Sequence, residues 1–156
     1  MSFDSTSAGR LNDRPVVMLN YHPGSSFAPA FSDAEVGSFS TLTLAHVGDG
    51  IYELMMRSAL CQSGVTSASQ LHRETVRRVN ASAQNKAMNH LLPALMPDEV
   101  AVYKRGRNAK VNGIPQHSNV AEYHSATGLE ALFGWLWMQG KTDRLIELFN
   151  IALEVL

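Results

Sequence analysis

Cysteine is nearly absent: among 156 residues only Cys61 carries a thiol. One thiol can neither close an internal disulfide nor build a CxxC metal site, so a disulfide scaffold is excluded and a reducing, intracellular setting is the default. Long apolar runs are missing too, and nothing approaches the roughly 18–20 residues of a membrane span. The opening stretch, MSFDSTSAGRLNDRP, has no apolar core of a secretory signal, and its aspartates fit a transit peptide poorly. A cytoplasmic protein without a membrane partner is the plain expectation. Charge of one sign is not in excess either, since 13 Lys and Arg face 14 Asp and Glu for a net charge of -1. A nucleic-acid partner must therefore be argued from where the charges sit. The six histidines are scattered, with no HExxH and no Walker A loop, which removes two common hydrolase signatures.

What is present is a single-domain length and 45% hydrophobic residues, enough for a packed core with some left for a dimer interface. Residues 1–31, with HPGSSFAPAF, show no sustained period and read as an extended or partly ordered arm, in which VVMLNY is apolar enough to pack somewhere. Residues 32–156 read as one all-α domain of six or seven helices, with no strand-like alternation. Ser32 and Glu35 form a capping box for a short helix that stops near Gly37. Ser40 or Thr41 caps a long helix to about Cys61, with Leu44, Val47, Ile51, Leu54, Met55 and Ala59 as its apolar positions. Ser67 opens a helix to about Val79. Asn80 or Ser82 opens another, with Ala83, Ala87, Leu91 and Leu92 on one face and Pro93 as its limit. Pro97 begins a helix expected to end at Gly106. Asn112-Gly113 marks a turn, Asn119 caps a helix to about Gln139, and a last helix carries Leu145, Leu148, Phe149, Ala152 and Leu156.

Two of these helices accept glycine in their interiors, each at up to about 1 kcal/mol relative to alanine. They are AHVGDGIYE and TGLEALFGWLW. Close approach of another backbone or of a ligand is the usual reason for such a residue. Each segment also holds an acid among core-type residues, Asp49 in one and Glu130 in the other. Such acids need compensation for lost hydration. A divalent cation shared between facing helices would supply it, and so would bonds to hydroxyls or basic residues at a helix contact. On these residues alone both readings stand. Glu53, one turn after Asp49, could join a metal site from outside the direct ligands, or pair with Arg57 in the favourable helical order.

The stretch LAHVGDGIYELMMR resembles the signature helix of the ribonuclease III family, in particular its short Mini-III branch. TGLEALFGWLWMQGK resembles that family's second catalytic helix, and QLHRETVRRVNASAQNKAM and YKRGRNAK resemble the segments between. The resemblance spans residues 38 to about 150. It implies an all-α endonuclease domain acting as a homodimer on double-stranded RNA, without a separate RNA-binding domain. It further implies Asp49 and Glu130 as catalytic, Mg²⁺-binding carboxylates, with Mn²⁺ able to substitute. Products with 5′-phosphate and 3′-hydroxyl ends follow, and a large-subunit (23S) ribosomal RNA precursor is the implied substrate. Larger family members carry two further acids where this chain has Ala45 and Thr127, so a sparser site is expected. His46 and Thr127 stand beside Glu53 as contributors beyond the direct ligands. Lys104, Arg105, Arg107, Asn108 and Lys110, with Arg77 and Arg78, are expected on RNA phosphates or groove edges. Trp135, Trp137, Phe133 and Leu136 are expected in the core or dimer interface. A catalytically silent RNA-binding domain and a helical nucleotide phosphohydrolase are the competing readings.

Overall fold

The computed structural model describes residues 27–156, and the apolar VVMLNY stretch lies outside them. Seven α-helices follow one another: α1 (Asp33–Gly37), α2 (Thr41–Gln62), α3 (Ala68–Val79), α4 (Ala81–Leu91), α5 (Pro97–Arg107), α6 (Val120–Met138) and α7 (Thr142–Leu153). A 3-10 turn, Leu92–Ala94, joins α4 to α5 where Pro93 stops the α-helical ladder. No strand occurs among the described residues.

The helix starts lie where the polar caps place them. Ser32, Ser40, Ser67, Asn80 and Asn119 each accept a hydrogen bond from a backbone N–H of the first turn they precede. Gly140 closes α6 with φ +70°, and Gly113 makes the expected turn with φ +79°. The end of α5 lies one residue beyond the expected Gly106, at Arg107.

Helix α6 is the axis of the fold. It packs against α2, α4, α5 and α7, and an unbroken run from Ser125 to Leu129 is buried. Tyr52, Met56, Met88, Leu91, Leu132, Phe133, Leu136, Leu145 and Leu148 close the core around it. Tyr52 meets Phe133 and Phe149 edge-on, with ring centroids 5.2 and 5.7 Å apart. Trp135 and Trp137 are half-buried against this core. Lys141 sits over the Trp135 ring at 4.7 Å, and Phe27 meets Trp137 edge-on at 5.7 Å. Through Phe31, whose N–H donates to the Met138 carbonyl at 3.0 Å, residues 27–31 lie against the end of α6.

Two apolar faces differ from expectation. In α2 the buried row is Leu44, Ala45, Gly48, Tyr52, Met56 and Leu60, while Leu54 is 55% exposed. In α4 it is Gln84, Ala87, Met88 and Leu91, and Leu92 falls in the 3-10 turn, 36% exposed. In α2 the cause is the approach of α6. A Cβ built on Gly48 would lie 1.7 Å from the Glu130 carbonyl oxygen, and one on Gly134 would lie 1.8 Å from that of Leu44. The two backbones touch there, so the row containing the smallest residue is the one turned fully inward. Gly106 and Gly128 do the same for α5 against α6. Gly50, by contrast, faces open space.

Candidate active site

The glycine crossing is also where the acids meet. Asp49 follows Gly48, and the carbonyl that excludes a side chain at Gly48 belongs to Glu130 itself. Both carboxylates line one cleft of about 390 Å³, together with His46, Thr127, Gln84 and Tyr123, with apolar walls from Leu42, Ala45 and Val111. Desolvation by burial is the largest influence on each acid. It pushes Glu130 up to about 7 from an ordinary 4.5, reinforced by the nearby charge of Asp49 and opposed by the Gln84 amide. Asp49 stays exposed at the cleft surface, and its carboxyl is raised by partial desolvation and then by Glu53, with His46 pulling the other way.

Two acids that each resist ionisation, one of them through the other, make a poor home for two bare negative charges. They make a good one for a divalent cation. The donor set is all oxygen and sparse, and no third His, Cys, Asp or Glu completes a cluster with them among the described residues. That suits a hard cation that keeps several waters, as Mg²⁺ does, better than a soft metal demanding a full protein cage.

The other expected contributors separate. His46 is exposed on the cleft wall. Thr127 is buried there, and its hydroxyl donates to the Tyr123 carbonyl one turn back at 3.1 Å. Glu53 does not line the cleft; it holds Arg57 at 2.5 Å in an i,i+4 pair and reaches Asp49 only through its charge. Gln84 is the residue sequence reasoning missed. Its signal was present, because it occupies the register of α4 that runs through Ala87, Met88 and Leu91, where a polar side chain needs a reason.

The cations fall into three places. Arg107 lies over the Tyr103 ring at 5.5 Å and donates to the Asn108 side-chain oxygen at 3.4 Å, while Lys104 and Lys110 are exposed at the end of α5 and in the following loop. That loop reaches the cleft through Val111. Arg105 instead lines a second groove, of about 650 Å³, with Asp33, Asp98, Trp135 and Lys141. Arg78 is bound to Glu74 at 2.5 Å, and Arg77 and Arg73 share the same carboxylate at 3.7 and 3.8 Å. The α3 cluster is thus partly neutralised. Arg77 and Arg78 line a small depression with Lys86 on another side of the α3–α4 corner.

The fold and the cleft together define a class. The Ribonuclease III domain family profile matches residues 42–141, which take in both acid-bearing helices, and the chain belongs to that family. Proteins described as Mini-ribonuclease 3 align over most of its length and place it in that branch. The one from Symbiobacterium thermophilum is 43% identical over 72% of this chain and 87% of its own. The one from Desulfitobacterium hafniense is 42% identical over 71% of this chain and 70% of its own. A crystal structure of a protein from Fusobacterium nucleatum superposes with a TM-score of 0.67 at 30% identity, over 75% of this chain and 93% of the other. The chain is an endoribonuclease of the ribonuclease III type. Enzymes of this type act on double-stranded RNA and are generally dependent on a divalent metal. No helix among the described residues is long and apolar enough to cross a membrane.

Proposed function

We propose that this chain cleaves double-stranded RNA as a Mg²⁺-dependent homodimer, with Asp49 and Glu130 as the protein ligands of the cation and Mn²⁺ able to replace it. The products carry 5′-phosphate and 3′-hydroxyl ends, and the substrate is a large-subunit ribosomal RNA precursor in the cytoplasm. The observation that carries this reading is the meeting of Asp49 and Glu130 in one cleft, where each is pushed toward its neutral form.

A cation held there supplies Lewis-acid stabilisation of the reacting phosphate and acidifies water. The protein's own part is positioning. The α2–α6 crossing fixes the acids, and exposed His46 lies on the cleft wall beside Asp49 as a hydrogen-bonding group for phosphate or water. Arg107, Lys104, Asn108 and Lys110 take phosphates and groove edges of an A-form duplex beside the loop that reaches the cleft, with Arg77, Arg78 and Arg105 as outlying contacts. A second copy of the chain would face the other strand. Exposed Leu42 at the cleft and Leu54 farther along α2 are the kind of apolar surface such a copy covers.

Asp49→Asn is expected to bring Mg²⁺-dependent cleavage of long double-stranded RNA below detection while duplex binding in a gel-shift assay persists. Turnover retained by that variant would remove Asp49 from the site.

A further inference from the structure

Gln84 is 2% exposed, on the row of α4 that otherwise holds only Ala87, Met88 and Leu91. Burying an amide among such neighbours is unfavourable unless its polar atoms are used. Its Nε2 makes no well-formed hydrogen bond within the described residues. The same side chain lines the cleft, with its amide close enough to the Glu130 carboxylate to favour the charged form. A packing role alone would be served by methionine, which has the same length and no desolvation cost.

We propose that Gln84 is a positioning residue of this active site, a neutral N–H donor that closes onto the Glu130 carboxylate when the cation and RNA phosphate arrive and holds it in its ligand orientation. The inference rests on the metal-site reading of Asp49 and Glu130. Neutrality matters because the cleft already contains two acids for one dication, and a lysine or arginine at this position would compete with the metal for Glu130. An amide donor orients one oxygen and leaves the remaining lone pairs of the carboxylate for the cleft. Donors behind metal-binding carboxylates commonly govern affinity or rate by roughly tenfold to a hundredfold. Catalytic hydrogen bonds that are loose in the free protein tighten in the loaded complex, which matches an amide that is near Glu130 without being fully bonded.

The test compares wild type with Gln84→Met, using kcat and KM on a defined duplex, together with the rise in melting temperature on adding Mg²⁺ or Mn²⁺ to the RNA-free protein. Gln84→Met is expected to fold, to lose roughly tenfold or more in kcat with KM for RNA within about twofold, and to show a weaker metal-induced rise. Should it fail to fold, Gln84→Glu keeps the outline and replaces the donor by an acceptor, and it is expected to show the same losses at neutral pH. Wild-type kcat and an unchanged metal response in either folded variant would overturn the proposal and make Gln84 a core filler. Asp49→Asn and Glu130→Gln run alongside. If these two still cleave, the metal-site reading itself falls; if they are dead while Gln84→Met is fully active, only the role of Gln84 does.

Discussion

Gly48 and Gly50 flank the same aspartate, yet they answer to different constraints. A Cβ at Gly48 would strike the Glu130 backbone, whereas nothing lies within 4 Å of one at Gly50. Gly48→Ala is therefore expected to cost more than the 1–3 kcal/mol typical of overpacking, since the obstacle is backbone that no rotamer change can move. Gly50→Ala should raise stability by up to about 1 kcal/mol through helix propensity. Chemical denaturation of the pair reads both, and equal effects would refute the crossing. Glu130 gives a second prediction at this scale. Its folded value of about 7 stands above an ordinary 4.5, so across that interval the folded state keeps a proton that the unfolded chain has released. The associated stability is full below about 4.5 and is lost as pH rises through about 7, a change on the order of 3 kcal/mol. The metal-free melting temperature should fall over this range, Mg²⁺ should offset the fall, and Glu130→Gln should lessen it. Sequence alone identified Asp49 and Glu130 as unusual acids, because charge among core residues shows in the pattern. Gln84 left only the sign of a polar residue in the apolar register of α4; that it faces Glu130 comes from a helix contact that no stretch of sequence encodes.

At the scale of helices, boundaries were more legible than faces. Caps such as Ser40 and Asn119 act through one or two local hydrogen bonds, and local chemistry is written in consecutive residues. The inward face of α2 is set by what arrives against it. Hydrophobicity placed Leu54 inside, whereas the close approach that the interior glycines signalled selects the row through Gly48, where the backbones of α2 and α6 touch. Charge runs follow the same logic. The arginines of α3 ranked behind Arg105 and Arg107 as RNA contacts, and the ion pairs agree with that order: Glu74 engages Arg78 closely and Arg77 and Arg73 at longer range, while among the described residues Arg107 meets the Tyr103 ring and the Asn108 side chain. Arg107→Glu should therefore weaken duplex binding and reduce the salt dependence of the association constant by about one unit or more, with Arg77→Glu doing less. Filter binding from low to moderate salt measures both slopes.

For the molecule as a whole, the all-α architecture was readable because most helices carried a start signal and the last, uncapped at Lys141, carried a clear apolar period. The assembly of those helices around α6 was not, because burial of nearly its whole middle erases the one-sided pattern that would show its neighbours. The proposed assembly state is checked by sedimentation equilibrium, which should return twice the chain mass of 17.1 kDa at micromolar concentration. A single-chain mass under conditions of full activity would rule out the dimer.

The contact of Gly48 with the Glu130 carbonyl has one more consequence. The spacing of the proposed metal ligands Asp49 and Glu130 is referenced to main chain against main chain, so it is insulated from the repacking that side-chain substitutions cause elsewhere in the core. Variants such as Leu148→Ala should lower the melting temperature yet keep the turnover number of the folded fraction. On heating, activity and native structure should vanish together, with no inactive but folded state between them.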